Sequence, residues 1–110
     1  MKTFYTSVIE LRQPFDQTIE THPYECGWAD EAIFFVELHD PEPGTGVELR
    51  VQISPDGIRW IDEGTVLKTT STTFARVTHF GGFLRLAGTA RQADGEAASA
   101  TVSVRLALKG

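Results

Sequence analysis

The chain is poor in cysteine, in long apolar runs and in basic charge. Cys26 is its one cysteine in 110 residues, so no internal disulfide can staple the fold. That leans towards a reducing compartment without requiring one. Cys26 itself reads as a small, half-buried side chain, not as a reactive thiol. The longest apolar run is Ala32–Val36, far short of the roughly 20 residues that span a bilayer. The opening MKTFYTSVIELR has no continuous apolar stretch before Glu10 and Arg12, which is not the pattern of a signal peptide. The expectation is a cytoplasmic protein, or part of a released particle, with no membrane partner. Lysine and arginine total 10 against 15 acidic residues, a net charge of −5. That balance argues against a nucleic-acid module, which normally shows a basic patch. A local basic face is still open to it, because Arg50, Arg76, Arg85 and Arg105 all fall within predicted strands.

Also missing is any helical spacing of apolar residues. What the sequence has instead is period-two alternation punctuated by turns. Val47, Leu49, Val51 and Ile53 alternate with Glu48, Arg50 and Gln52, the signature of a strand with one face buried. Ser54-Pro55-Asp56-Gly57 then supplies turn chemistry. Ile58–Asp62 reads as the returning strand, with Trp60 as its apolar anchor.

Other segments follow the same rule. Thr3–Leu11 predicts a first strand, interrupted by Pro14, and Phe15–Thr21 a shorter second one. His22–Asp30 reads as a loop with aromatic anchors at Tyr24 and Trp28. Glu31–His39 is apolar on both sides in its front half, which predicts a central strand or one whose outer face meets a partner. Asp40–Gly46 is a loop. Val66–Thr70, Ser71–Phe80 and Phe83–Ala90 are further strands, separated by Gly81-Gly82 and followed by an Asp94-Gly95 turn. In the last strand Val102, Val104, Leu106 and Leu108 alternate with Thr101, Ser103, Arg105 and Ala107.

About eight short strands between turn signals predict an all-β, antiparallel two-sheet sandwich of jelly-roll or immunoglobulin-like form. The length suits one domain, residues 1–110. A chain this long buries roughly two-thirds of its unfolded surface, enough to hold a core without metal or disulfide.

Catalytic and metal-binding spacings are absent. His22, His39 and His79 lie on different predicted elements, and there is no HxH, HExxH or CxxC. Loop carboxylates Asp40, Glu42, Asp56, Asp62 and Glu63 do not form a calcium-loop run. Ser54 and Ser71 lack a GxSxG setting. Gly81-Gly82 lacks the following helix and lysine of a phosphate loop. The expectation is therefore a non-enzyme with no metal and no cofactor.

Two surface features remain. Phe80 and Phe83 flank a turn, and with Trp60, Tyr24 and Trp28 they offer an aromatic platform for a sugar ring or protein. The simpler reading is that they plug the open end of the sandwich. The arginines suggest a flat face of Arg, Phe and Thr that docks on an identical subunit, since Arg and aromatics are enriched in interface cores. Cross-strand ion pairs on a wet sheet face are the plainer account.

SPDGIRW followed by IDEGT resembles the SxDGxxW…GT hairpin of small β-sandwich modules, associated with phage-derived virion accessory domains and with sugar-binding sandwiches. THFGGFLRLAGTA, leading to a strand that ends in LKG, is similar to the back half of such a domain. The resemblance covers roughly residues 47–109 and rests on a turn plus one Trp. It implies a non-catalytic structural or binding domain, often oligomeric, and carries over no ligand residue.

The sequence thus points to a structural protein of phage-like type that self-associates through sheet faces or edges. Phe35, Phe83, Arg85, Arg76 and Arg105 are its candidate interface residues. The alternative is a carbohydrate-binding module using Trp60, Phe80 and Phe83.

Overall fold

The computed structural model describes residues 3–110. Among them run nine strands: β1 (Phe4–Asp16), β2 (Thr18–Glu20), β3 (Tyr24–Glu25), β4 (Glu31–His39), β5 (Gly46–Ser54), β6 (Ile61–Thr69), β7 (Thr72–Thr78), β8 (Phe83–Arg91) and β9 (Ser99–Lys109). No described residue is helical. One sheet has the order β1-β9-β4-β7. The other has β2-β8-β5-β6, with β3 also paired to β8. Every pairing is antiparallel.

The chain is a long hairpin folded back on itself and rolled up. It reverses after Ser54, and the two arms then pair rung by rung: β5 with β6, β4 with β7, β2 and β3 with β8, β1 with β9. The rungs divide between the two sheets, so rolling the ribbon brings β4 beside β9 and β5 beside β8. That is the jelly roll, and it decides between the two sandwich forms the sequence left open.

The alternation of the sequence fills the space between the sheets. Ala32, Phe34, Val36 and Leu38 of β4 and Val102, Val104, Leu106 and Leu108 of β9 face Val47, Leu49 and Val51 of β5 and Leu84 and Leu86 of β8. Each of these side chains is buried, and burying a Leu, Val or Phe contributes roughly 1.5–3 kcal/mol.

Four local expectations change. Pro14 does not interrupt the first strand, which continues to Asp16 with Pro14 opposite Thr101. β1 is an edge strand, where a missing N–H is tolerated. Its register shifts on both sides of Glu10, and Arg12 takes φ 47°. The strand expected over Phe15–Thr21 is divided at Gln17 (φ 70°), where the chain passes from one sheet to the other. Tyr24–Glu25, expected as loop, adds a short strand to β8.

The largest change concerns Ile58–Asp62. β6 begins only at Ile61 and runs unbroken to Thr69, with Gly64 at φ 117° and a bulge opposite Arg50–Gln52. Asp56 Oδ1 accepts the amides of Ile58 (2.9 Å) and Arg59 (3.0 Å), and Ser54 Oγ accepts those of Asp56 and Gly57. These bonds hold the segment in a wide turn, so Ile58, Arg59 and Trp60 join no ladder. Trp60 is not a core anchor; it lies half-buried outside the core cluster.

Arg59 and Ile58 together hold the Asp56 carboxyl below the usual carboxylate range. A carboxylate favoured in the folded state adds stability above its unfolded pKa of about 3.9, and that contribution is lost as pH falls through the lower folded value. The melting temperature of Asp56→Asn should therefore lie below the parent's at pH 7, and the gap should close under acid. A pH-independent gap would remove the charge from this account.

At Gly88, β8 leaves no room for a side chain beside β5. A Cβ there would overlap the Glu48 carbonyl oxygen and lie 2.9 Å from Leu49 Cα. Gly88→Ala should cost about 1–3 kcal/mol as an overpacked site, seen as a lower urea midpoint with an unchanged slope.

Candidate functional site

Two outer faces flank this core, and their chemistry differs. On the four-stranded sheet the register places Val8, Arg105, Phe35 and Phe74 side by side across all four strands. The next row holds Thr6, Ala107, Ile33 and Arg76. Directly paired residues share a face, so each row is a lateral strip of one surface.

This surface is apolar with charges of both signs among its aromatic rings. Val8 is 54% exposed, Phe35 42%, Phe74 51% and Phe4, further along β1, 63%. The Phe35 and Phe74 rings lie 6.4 Å apart between centroids. The Arg76 guanidinium stands 5.2 Å from the Phe74 ring, and Lys109 Nζ stands 5.7 Å from that of Phe4. Arg105 reaches the Glu37 carboxylate at 3.9 Å.

The outer face of the five-stranded sheet is a polar ladder. Arg85 donates to Gln52 (2.7 Å) and Glu20 (2.8 Å), and its guanidinium lies 4.3 Å from the Trp60 ring centroid. Gln52 donates to Asp62 (2.9 Å), which lies 3.7 Å from Arg50 Nε. Lys68 and Glu48 complete the row at 3.4 Å.

The five candidate interface residues therefore do not form one surface. Phe35, Arg76 and Arg105 share the apolar face; Phe83 and Arg85 belong to the opposite sheet. The three aromatic residues of the sugar-platform alternative are likewise engaged within the protein. Arg85 covers Trp60, Phe80 packs against the core, and the Phe83 ring contacts the turn at Gly57. Phe4, Val8 and Phe74 were not singled out from the sequence. Their alternation was visible, but only the register sets them beside Phe35.

Sequence spacing also missed two histidine contacts. His39 Nε2 lies 2.7 Å from Ser103 Oγ and 3.7 Å from Glu37 Oε1. This is not a nucleophile–base–carboxylate relay, because hydroxyl and carboxylate meet the same ring nitrogen. Ser103 is also only 1% exposed, and the Arg12 amide donates to its oxygen. At the bulge of β1, buried Glu10 accepts from His22 N, and its carboxylate lies 2.6 Å from His22 Nδ1. Among the described residues no three His, Cys, Asp or Glu side chains are grouped to hold a metal ion.

Cys26 is fully buried, not half-buried as expected. Burial, reinforced by the Glu25 charge, pushes its thiol up to about 12. The thiolate is the reactive form, so a disulfide reagent at pH 8 should leave the folded protein unmodified and label one thiol in denaturant. Rapid labelling of the folded chain would contradict this burial.

No family model matches the chain, and no curated protein is significantly similar to it in sequence. Solved structures do share its fold. The crystal structure of SPBc2 prophage-derived protein YomS superposes with a TM-score of 0.67 over 100% of this chain and 96% of that one, at 8% identity. The infectious bursal disease virus VP2 subviral particle gives 0.63 at 16% identity, and PBSX exported protein XepA gives 0.59 at 5%. Each of these two is matched over 98% of this chain, which spans 32% of the VP2 chain and 36% of XepA. The likeness is one of fold.

Proposed function

We propose that this chain is a non-catalytic structural protein of phage-derived type that self-associates through the outer face of its four-stranded sheet. The observation that carries the reading is the row Val8–Arg105–Phe35–Phe74. Four adjacent strands turn one large side chain each outward in a single strip. Aromatic and arginine side chains are enriched in interface cores.

The occupant we assign is a second copy. A two-fold contact sets a surface against itself, so it must be self-complementary. This face carries both signs, with Arg76 and Arg105 alongside Glu37. Arg76 has a ring contact and no carboxylate partner among the described residues. A partner's Glu37 would supply one. The fold likeness to a prophage-derived protein, an exported phage-related protein and a viral particle supports a particle-associated role. No helix among the described residues is long and apolar enough to cross a membrane. The same reading takes residues 1–110 as one folding unit.

Light scattering behind a sizing column, at two protein concentrations, tests this. The expected result is a mass that is a multiple of 12.1 kDa and stable on dilution. The double variant Phe35→Asp/Phe74→Asp should fall towards the monomer while keeping its β-sheet circular dichroism. Arg85→Glu, on the other sheet, should keep the parent's mass. A monomeric parent, or an unchanged mass in the double variant, overturns the proposal.

A further inference from the structure

The ladder on the five-stranded sheet ends in a broad depression of about 850 Å³, within the range of small-ligand sites. Strands β5, β6 and β8 line it, together with Gly44, Gln92 and Ala93 from the adjoining loops. Arg50, Lys68 and Arg91 line it, one from each strand, and Glu48 is the one carboxylate among its lining residues. This excess of cations runs against a chain whose net charge is −5.

The donors are only partly used. Arg50 meets Asp62 at 3.7 Å, an ionic contact longer than a hydrogen bond. Lys68 lies 3.4 Å from Glu48. Arg91 donates once, to the Gly95 carbonyl at 3.0 Å, and has no carboxylate partner among the described residues. A guanidinium has five N–H donors in a fixed fork that matches the geometry of an oxyanion. Thr70 and Thr89 also line it, while Thr69 Oγ1 already accepts the Ser71 amide. No aromatic ring lines the depression, so it offers no stacking surface, and its charge disfavours a cationic ligand.

From these observations we infer that the depression binds the oxyanion of a small hydrophilic ligand, a carboxylate, sulfate or phosphate group held by Arg91 with Lys68 and Arg50. The threonine hydroxyls and the Glu48 carboxylate suit the hydroxyl groups of an attached scaffold, such as an acidic or phosphorylated sugar. The site lies on the sheet opposite the proposed self-association face, so the two proposals stand or fall separately.

The test is amide chemical-shift titration of the full chain at low ionic strength, with inorganic sulfate, glucuronate, glucose 6-phosphate and neutral glucose as probes. Saturable shifts at Arg50, Lys68, Thr89 and Arg91 are expected with the charged probes and not with glucose. Tighter binding of the sugar acids than of sulfate would identify the scaffold as part of the ligand; equal binding would assign recognition to the oxyanion alone. Arg91→Ala should weaken binding about tenfold, as loss of a charge-assisted contact does, and Arg59→Ala in the Ser54–Trp60 turn, outside the depression, should leave it unchanged. Raising the salt to about 0.5 M should weaken it further. The inference is overturned if no charged probe saturates, if glucose binds as well as the sugar acids, or if a folded Arg91→Ala/Lys68→Ala variant binds like the parent.

Discussion

The side chains of Ser54 and Asp56 fix the point at which the chain doubles back, and the roll depends on that point. Between them they accept four backbone amides within the turn. These donors would otherwise have to pair with water or stand unsatisfied. With the reversal placed there, β6 can only lie against β5, and each following segment finds its partner on the opposite arm. A one-residue slip at the turn would turn Leu67 of β6 out to solvent. The bulge opposite Arg50–Gln52 absorbs the remaining offset, leaving Leu67 inside and Val66 outside.

The contrast between the two outer faces follows from which strand lies at the centre of each sheet. β4, between β9 and β7, is apolar on both sides at Ile33 and Phe35. Its inner set fills the core, and its outer set has only neighbouring side chains to lean on. β5 and β8 place Arg50, Gln52 and Arg85 at outer positions, where Arg85 ties to Gln52 and Glu20, and Gln52 and Arg50 both meet Asp62. One sheet is therefore satisfied laterally and stays wet. The other carries greasy surface that lateral contacts only partly cover. The exposed pair Phe35–Phe74 is a cross-strand contact in its own right, worth a few tenths of a kcal/mol to about 1.

Much of this was legible in the sequence where one period applied. β4, β5, β8 and β9 stand close to where the alternation put them, because burial of one face leaves a plain trace in composition. The apolar front half of Glu31–His39 announced a central strand correctly. The sequence misleads where a single residue's chemistry is outweighed by its place in the fold. Pro14 suggests a break, yet it is tolerated on an edge strand. Trp60 suggests a core anchor by its size, but the amides captured by Asp56 keep it off the ladder and under Arg85. The surfaces were less legible still. Phe35 and Phe83 look alike in sequence, yet they end on opposite sheets, because pairing between distant segments leaves no local mark. The His39–Ser103 contact and the grouping of Arg50, Lys68 and Arg91 arise in the same way.

The outermost rung of the roll joins Phe4 to Lys109, and beyond it Thr3 and Gly110 exchange backbone hydrogen bonds. Entry and exit of the described chain therefore sit side by side, where β1 pairs with β9 at the margin of the four-stranded sheet. Anything attached at either place starts from a single corner of the four-stranded sheet, like a tag on a string. A unit whose ends meet at one corner can be spliced into a larger polypeptide at a single junction.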